Sequence, residues 1–268
     1  MITFGDIMTR GLIYYDSEYK EKCKEFCRIR NISYLPHIDN PSQYFQYDPE
    51  LDRLKQLFIP EEQIVQADES IFTYKIFEDF NKYKILFVKR GRMLEGVVHF
   101  SDYNRSIVYD YVYQRLNRLE RGIIRLIVIR KKLTKNDLRR FLGKKPLESH
   151  KGLLEESDFR AQKKPSGYMN LRDILFFALE HKIIAIREDD GHKINMVRNK
   201  VAHSGWLVDK NNGSEFDYKI TSFKSLASGM ASLEVAIKQV LNRLYFETSL
   251  LGKQPSSPVM SLDSILMD

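Results

Sequence analysis

The 268-residue chain has two cysteines, one tryptophan and no long apolar run. The two cysteines, Cys23 and Cys27, cannot build a disulfide framework, and four residues apart on a predicted helix they share one face as small apolar side chains. No window approaches the roughly 18 apolar residues of a membrane span, and the first residues lack the basic and apolar regions of a secretory signal. We therefore expect a soluble, cytoplasmic protein in a reducing compartment.

Several common site patterns are also missing. His37, His150 and His181 have no Cys, His, Asp or Glu partner at metal-ligand spacing. Gly91 and Gly96 are too few for a phosphate-cradling loop, and no Ser-His-Asp constellation can be argued. The sequence therefore predicts no metal site.

The charge of the chain is divided unevenly along its length. Residues 1–104 contain 14 Lys and Arg against 17 Asp and Glu, whereas residues 105–268 contain 29 against 19. The net charges are therefore −3 and +10, which indicates that a polyanion would be bound by the second half. The hydrophobic fraction of 43% is enough for two cores, and two domains are expected.

The first hundred residues repeat one order of elements, and a polar loop separates the two copies. An extended segment precedes an amphipathic helix in each copy, and strands follow it. These elements are predicted at 11–15, 17–30 and 32–39 in the first copy and at 63–65, 70–82, 84–88 and 94–100 in the second. Such a repeat predicts two α+β halves about a pseudo-twofold axis with a cleft between them.

Beyond residue 102 the apolar spacing becomes that of amphipathic helices. These are predicted at 104–132, 134–142, 171–187, 192–203 and 222–250, with a basic insertion at 143–167. The predicted fold class is α+β: a ligand-sensing α/β repeat pair at 1–103, an all-α bundle at 104–252 and a flexible tail at 253–268.

Two segments of the first half are similar to a known family. Asp6-Ile7-Met8-Thr9 and the closing run Gly96-Val97-Val98-His99-Phe100-Ser101-Asp102 resemble the motifs of CBS-domain pairs, the Bateman modules that bind adenosine nucleotides or related ligands. The final Asp of that family's segment commonly holds a ribose hydroxyl. The resemblance therefore implies a small nucleotide-type regulatory ligand bound by Gly96, His99 and Asp102, although His99 stands where the family usually has Thr or Ser.

A second resemblance lies in the helical half. The run Arg198-Asn199-Lys200-Val201-Ala202-His203 fits the Arg, polar residue, spacer, His signature of the HEPN family of helical-bundle proteins, many of which are metal-independent ribonucleases. Glu156-x-x-x-Arg160 is similar to a weaker acidic-then-basic feature of that family. The resemblance implies catalytic roles for Arg198, Asn199 and His203, with no cofactor required for catalysis.

Cleavage of RNA without a metal needs a group that moves a proton and a fixed positive charge for the transition state. His203 and Arg198 can supply these. On an ideal helix Asn199 and His203 share a face, whereas Arg198 lies roughly 140° from His203. A single copy is a sparse site, so the mechanism predicts a homodimer with two motifs around one scissile bond. The product would be a 2′,3′-cyclic phosphate.

Contacts to RNA are predicted around the same motif. Lys200 and Trp206 are the nearest candidates, with Trp206 as a base-stacking residue. The basic stretches at 130–132, 139–140, 144–145 and 163–164 form either an RNA-tracking surface or ordinary solvated helix faces.

The leading hypothesis is a ligand-gated ribonuclease in which the first half senses a nucleotide and a homodimer of the second half cleaves RNA. The gating signal would travel through the long helix that begins near Asn104. The resemblance further implies prokaryotic antiviral defence or toxin systems. The alternatives are a nucleotide-sensing module whose helical half binds protein or RNA without cutting, and a neutralised subunit of a toxin–antitoxin pair.

Overall fold

The computed structural model describes residues 1–30, 32–83, 85–129, 171–204, 206–209 and 219–250. The predicted helix at 134–142, the basic insertion with Glu156 and Arg160, and the tail at 253–268 lie outside these residues. The described chain is a mixed α/β protein. It divides into two compact units, Met1–Tyr109 with Trp206–Ala227, and Asp110–Gly205 with Ser228–Asp268. Trp206–Ala227 thus joins the first unit, whereas the sequence division at residue 103 assigned it to the second part.

The first unit contains two sheets. Its elements are α1 Phe4–Ile7, β1 Thr9–Arg10, α2 Lys20–Arg30, β2 Tyr34–Pro36, β3 Gln43–Asp48, β4 Arg53–Phe58, β5 Ile64–Gln66, α3 Tyr74–Tyr83, β6 Ile85–Arg90, β7 Met93–His99 and a 3₁₀ helix at Phe100–Asn104. One sheet has the order β1-β7-β6-β5 and the other the order β2-β3-β4.

The predicted repetition is present in the topology of these strands. In the second copy β5 pairs parallel with β6 across α3, and β6 then pairs antiparallel with β7. In the first copy Tyr15 makes a parallel bridge to His37 across α2, and β2 pairs antiparallel with β3. The same order of extended segment, helix, parallel strand and antiparallel strand therefore occurs twice.

The polar loop predicted after Asp39 is wrong, because this segment contains the antiparallel hairpin of β3 and β4. Its Gln, Asn and Ser residues suggested a loop, yet Tyr44, Phe45 and Tyr47 are buried. Aromatic residues favour strands because they pack well on a pleated surface. The turn of the hairpin places Asp52 at a φ of 44°, a left-handed conformation that Asp tolerates.

The two cysteines pack as small apolar side chains, as predicted. Cys23 and Cys27 are both free and buried on α2, in a cluster with Leu35 and Phe45 of the three-stranded sheet. Burial raises the pKa of the Cys27 thiol to about 11, because a thiolate is poorly solvated there. Cys27 is therefore a core residue rather than a nucleophile.

The second unit is built from helices. They are α4 Ser106–Ile129, α5 Leu171–Glu180, α6 Glu188–Asn199, a π-helical turn at Lys200–Ser204, and α7 Ile220–Leu250. The first residues of α4 and of α7 belong to the first unit. The predicted helices at 104–132 and 222–250 are confirmed where they are described. They form because their apolar residues recur at helical spacing and can be buried along one face.

Glycines allow close packing of helices within this unit. A Cβ at Gly122 of α4 would lie 2.5 Å from Cγ1 of Val240 on α7. A Cβ at Gly229 of α7 would clash with Cγ2 of Val197 and would lie 2.9 Å from the carbonyl oxygen of Lys193, both on α6. Helix α6 is thereby held against α7 immediately before the Arg198 motif.

Helix α5 ends at Glu180, seven residues before the predicted end at 187. Lys182 has a φ of 53°, and the Ile183 and Lys182 N–H groups donate to the carbonyls of Ala178 and Leu179 at 2.7 and 3.0 Å. This is a Schellman termination, usually made by glycine. Because lysine occupies the left-handed position, the sequence lacks the glycine that usually marks such a helix end.

None of the described helices is long and apolar enough to cross a membrane.

Candidate functional site

Arg198 and Asn199 form the last turn of α6, in the second unit. Arg198 is half-buried and Asn199 is exposed. Nη1 of Arg198 donates a hydrogen bond to Oδ1 of Asn199 at 3.1 Å, so Asn199 restrains the direction of the guanidinium. A guanidinium presents its N–H donors in a planar fork that matches the oxygens of a phosphate.

The helix then widens into a π-helical turn over Lys200–Ser204, which corrects the predicted α-helix that runs to His203. A π turn closes i→i+5 hydrogen bonds and so contains more residues than the 3.6 of an α-helix. Two residues five apart are therefore separated around the helix axis by a smaller angle than the roughly 140° of an ideal α-helix. The turn brings the backbone of His203 towards the face that carries Arg198; the side chain of His203 lies outside the described part.

The sequence around the motif predicts an apolar helix face made of Val197, Val201 and Ala202, with Gly205 stopping the helix, and this face is only partly present. Val197 is buried, whereas Val201 is half-buried and Ala202 is exposed. Val201 and Ala202 lie in the π turn, where the helical period differs from that of α6. Gly205, predicted to stop the helix, lies outside the described residues.

Glu120 on α4 is a neighbour of Arg198 that the sequence did not indicate. Burial raises the pKa of the half-buried Glu120 carboxyl, while the positive charges of Arg198 and Arg121 act in the opposite direction. A nearby carboxylate reduces the net positive field of the guanidinium. In the sequence, Glu120 stands out only as a charged residue among the apolar positions of α4, and nothing there indicates that Arg198 is its neighbour.

The three residues of the predicted ligand site lie in β7 and in the 3₁₀ helix that follows it, in the first unit. Gly96 is buried in the pairing of β7 with β1, where a Cβ would lie 2.6 Å from the Thr9 carbonyl oxygen. His99 precedes the 3₁₀ helix, and its Nδ1 accepts the Ser101 N–H at 3.2 Å. The structure brings Gly96 next to the Met8-Thr9 segment, which carries the other half of the resemblance.

Asp102 is buried, and both of its carboxylate oxygens have internal partners. Oδ2 accepts the His99 N–H at 2.7 Å, and Oδ1 pairs with Nη2 of Arg105 at 2.7 Å. Arg105 also donates to the carbonyl oxygen of Met8 at 3.2 Å and to Oγ1 of Thr9 at 2.8 Å. Asp102 thus fixes the start of the 3₁₀ helix and, through Arg105, its link to β1. Arg105 was missed because Met8 and Thr9, two of its partners, are distant in sequence.

Burial is the main influence on the Asp102 carboxyl and raises its pKa, against the lowering effects of the His99 N–H and Arg105. A folded-state pKa above the unfolded value means that protonation favours the folded chain. As pH falls from about 7 to about 4, we expect the wild-type chain to gain stability relative to Asp102→Asn, which does not titrate at this position. The measurement is urea unfolding of both chains at each pH.

Other carboxyls and His99 are common to both chains, so the difference between them isolates Asp102. If the ion pair with Arg105 dominated instead, the difference would move in the opposite direction as pH falls.

The two remaining predicted residues lie on either side of the boundary between the units. Lys200 is half-buried in the π turn, and Trp206 is 44% exposed at the start of the segment that returns to the first unit. The next two residues, Leu207 and Val208, are fully buried. Asn104 of the 3₁₀ helix bonds to their backbones, a contact that the sequence did not indicate.

No family model, no curated protein and no solved structure matches this chain. Among the residues that the structure describes, no group of three or more His, Cys, Asp or Glu side chains could hold a metal ion.

Proposed function

We propose that this protein is a ribonuclease that cleaves RNA without a metal, with Arg198, Asn199 and His203 as its catalytic residues. The observation that supports this function is the arrangement at the end of α6. There the Arg198 guanidinium is bonded to Asn199 and a π turn follows that includes His203. π turns inside helices are frequent at functional sites.

In the proposed reaction, His203 removes the proton of a ribose 2′-hydroxyl, and the 2′-oxygen attacks the adjacent phosphorus. The bond from phosphorus to the 5′-oxygen breaks, which leaves a 2′,3′-cyclic phosphate and a 5′-hydroxyl. Arg198 stabilises the additional negative charge on the phosphoryl oxygens. The leaving 5′-oxygen takes a proton from His203 of a second copy, so the proposal includes a homodimer through the helical part.

The first unit is proposed to sense a small nucleotide-type ligand, an adenosine nucleotide in particular. The duplicated strand and helix topology supports this, as does the junction of β7, the 3₁₀ helix and the Met8-Thr9 segment around Asp102. Helix α4 begins two residues after that 3₁₀ helix. A shift at the junction would therefore move the start of α4. A role in prokaryotic defence or a toxin system is part of the proposal.

The test uses the full-length purified chain, a 5′-labelled RNA and a buffer with EDTA. We expect cleavage that persists in EDTA, products that end in a 2′,3′-cyclic phosphate, and a rate that changes when AMP or ATP is added. Products with a 3′-hydroxyl would contradict the proposed mechanism. RNA binding without any cleavage, with and without nucleotide, would favour the non-catalytic module.

A further inference from the structure

The segment that follows the catalytic motif is held at its start by the side chain of Asn104, in the first unit. Its Oδ1 accepts hydrogen bonds from the N–H groups of Leu207 at 2.7 Å and Val208 at 2.9 Å. Its Nδ2 donates to the carbonyl oxygen of Val208 at 3.0 Å. One amide therefore satisfies three backbone groups of two consecutive buried residues, and this pattern also determines which atom is oxygen and which is nitrogen.

Asn104 is itself held firmly. It ends the 3₁₀ helix whose preceding residue, Tyr103, is fully buried and donates its hydroxyl to the carbonyl oxygen of Ile71 at 2.8 Å. The Tyr103 ring packs edge to face against Phe223, with centroids 4.8 Å apart. The support for the Leu207–Val208 backbone is therefore a packed part of the core of the first unit.

The far end of the same segment is fixed as well. The Asp209 N–H donates to Oγ of Ser222 at 3.0 Å, and that hydroxyl donates back to Oδ2 of Asp209 at 2.9 Å. The Lys219 N–H donates to the carbonyl oxygen of Asp209 at 2.7 Å. Residues 207, 208 and 209 are thus all held by hydrogen bonds, and Trp206 directly precedes them.

Trp206 contrasts with the residues that follow it. Its side chain is 44% exposed, whereas Leu207 and Val208 have no exposed surface. A large aromatic side chain on a fixed backbone loses little further conformational freedom when a ligand stacks on it. Every nucleobase offers a π-face to such a ring, and stacking on exposed aromatic residues is how proteins bind unpaired strands.

We propose that Asn104 is a positioning residue that holds Trp206 as a pre-ordered stacking platform for an unpaired base of single-stranded RNA. The inference rests on the proposed function only for the choice of RNA as ligand. The Asn104 amide acts through the Leu207–Val208 backbone and does not touch the RNA.

The test exploits the single tryptophan of the chain, because emission excited at wavelengths that tyrosine does not absorb reports on Trp206 alone. The probe is a ten-residue 2′-O-methyl oligouridine, which cannot be cleaved through its 2′-oxygen. In the wild-type full chain we expect the oligonucleotide to quench Trp206, and an RNA duplex of equal length to quench it far less. In Asn104→Ala we expect the emission anisotropy of Trp206 without RNA to fall.

Affinity is measured with a fluorescein-labelled version of the same oligonucleotide. Trp206→Ala is expected to weaken binding about 5- to 100-fold. Asn104→Ala is expected to weaken it about 2- to 10-fold, the usual effect of losing a pre-ordered side chain. The loss caused by Asn104→Ala should nearly vanish in a Trp206→Ala background, because Asn104 acts through Trp206.

Gln239→Ala is the matched control. It removes a side-chain amide that bonds to the backbone N–H and carbonyl of Ala185 in the second unit, so it should leave the anisotropy of Trp206 and the affinity unchanged. Three results would each overturn the inference: no quenching by the oligonucleotide, unchanged anisotropy in Asn104→Ala, or an Asn104→Ala loss that persists without Trp206. A chain that binds and quenches but does not cleave RNA would contradict only the ribonuclease function.

Discussion

Replacing His203 by alanine is expected to reduce RNA cleavage about 10²- to 10⁴-fold, the usual contribution of a general acid or base. In the proposed mechanism, the motif without its imidazole has no group to take the 2′-hydroxyl proton, while Arg198 and Asn199 would still bind the phosphate. The measurement is the initial rate with labelled RNA in EDTA, together with the affinity for the uncleavable oligouridine. We expect the rate to fall and the affinity to change little.

The matched control is His192→Ala, on the same helix and with a side chain that is 59% exposed. It should cleave RNA at the wild-type rate. If His203→Ala retained wild-type activity, or if both variants lost activity equally, His203 would not be the catalytic base. Equal Tm values for the two variants would exclude a difference in folding as the cause.

Replacing Phe223 by alanine is expected to lower the free energy of unfolding of the first unit by about 3–5 kcal/mol, as for other fully buried phenylalanines. The ring has no exposed surface, and its centroid lies 5.4, 5.0 and 4.8 Å from those of Phe80, Phe100 and Tyr103. Its loss opens a cavity inside this aromatic cluster. Urea unfolding monitored by the emission of Trp206 measures this effect, because Trp206 lies in the first unit.

Phe246→Ala is the control on the same helix. Its ring is 62% exposed, so the substitution should change stability by about 0.5 kcal/mol or less. A similarly small effect of Phe223→Ala would mean that Trp206–Ala227 does not belong to the core of the first unit.

The elements that were predicted well depend on neighbours in sequence. The long helix expected at 104–132 is present as Ser106–Ile129 in the described chain, and the one expected at 222–250 as Ile220–Leu250. In both, apolar side chains recur at the helical period over many turns, so the pattern predicts both the type of element and its buried face. The alternation of β7 was readable for the same reason.

The elements that were missed depart from the residue preferences usual for their type of structure. Gln43–Asp48 has the composition of a loop but buries its aromatic residues in a hairpin. The end of α5 uses lysine where glycine is usual. The π turn after Asn199 has no mark in the composition of Lys200–Ser204.

For the candidate site, the sequence alone supplied the residue types: an arginine, an asparagine and a histidine in one short run, and a single tryptophan close behind. Only the tertiary structure brings Glu120 into the surroundings of Arg198, joins Asp102 to the Met8-Thr9 segment through Arg105, and holds Leu207 by a side chain 103 residues away. The physical reason is the distance along the chain over which each kind of signal acts. Helical and strand periods repeat within a few residues, whereas these contacts depend on how distant segments pack against each other, which no local pattern encodes.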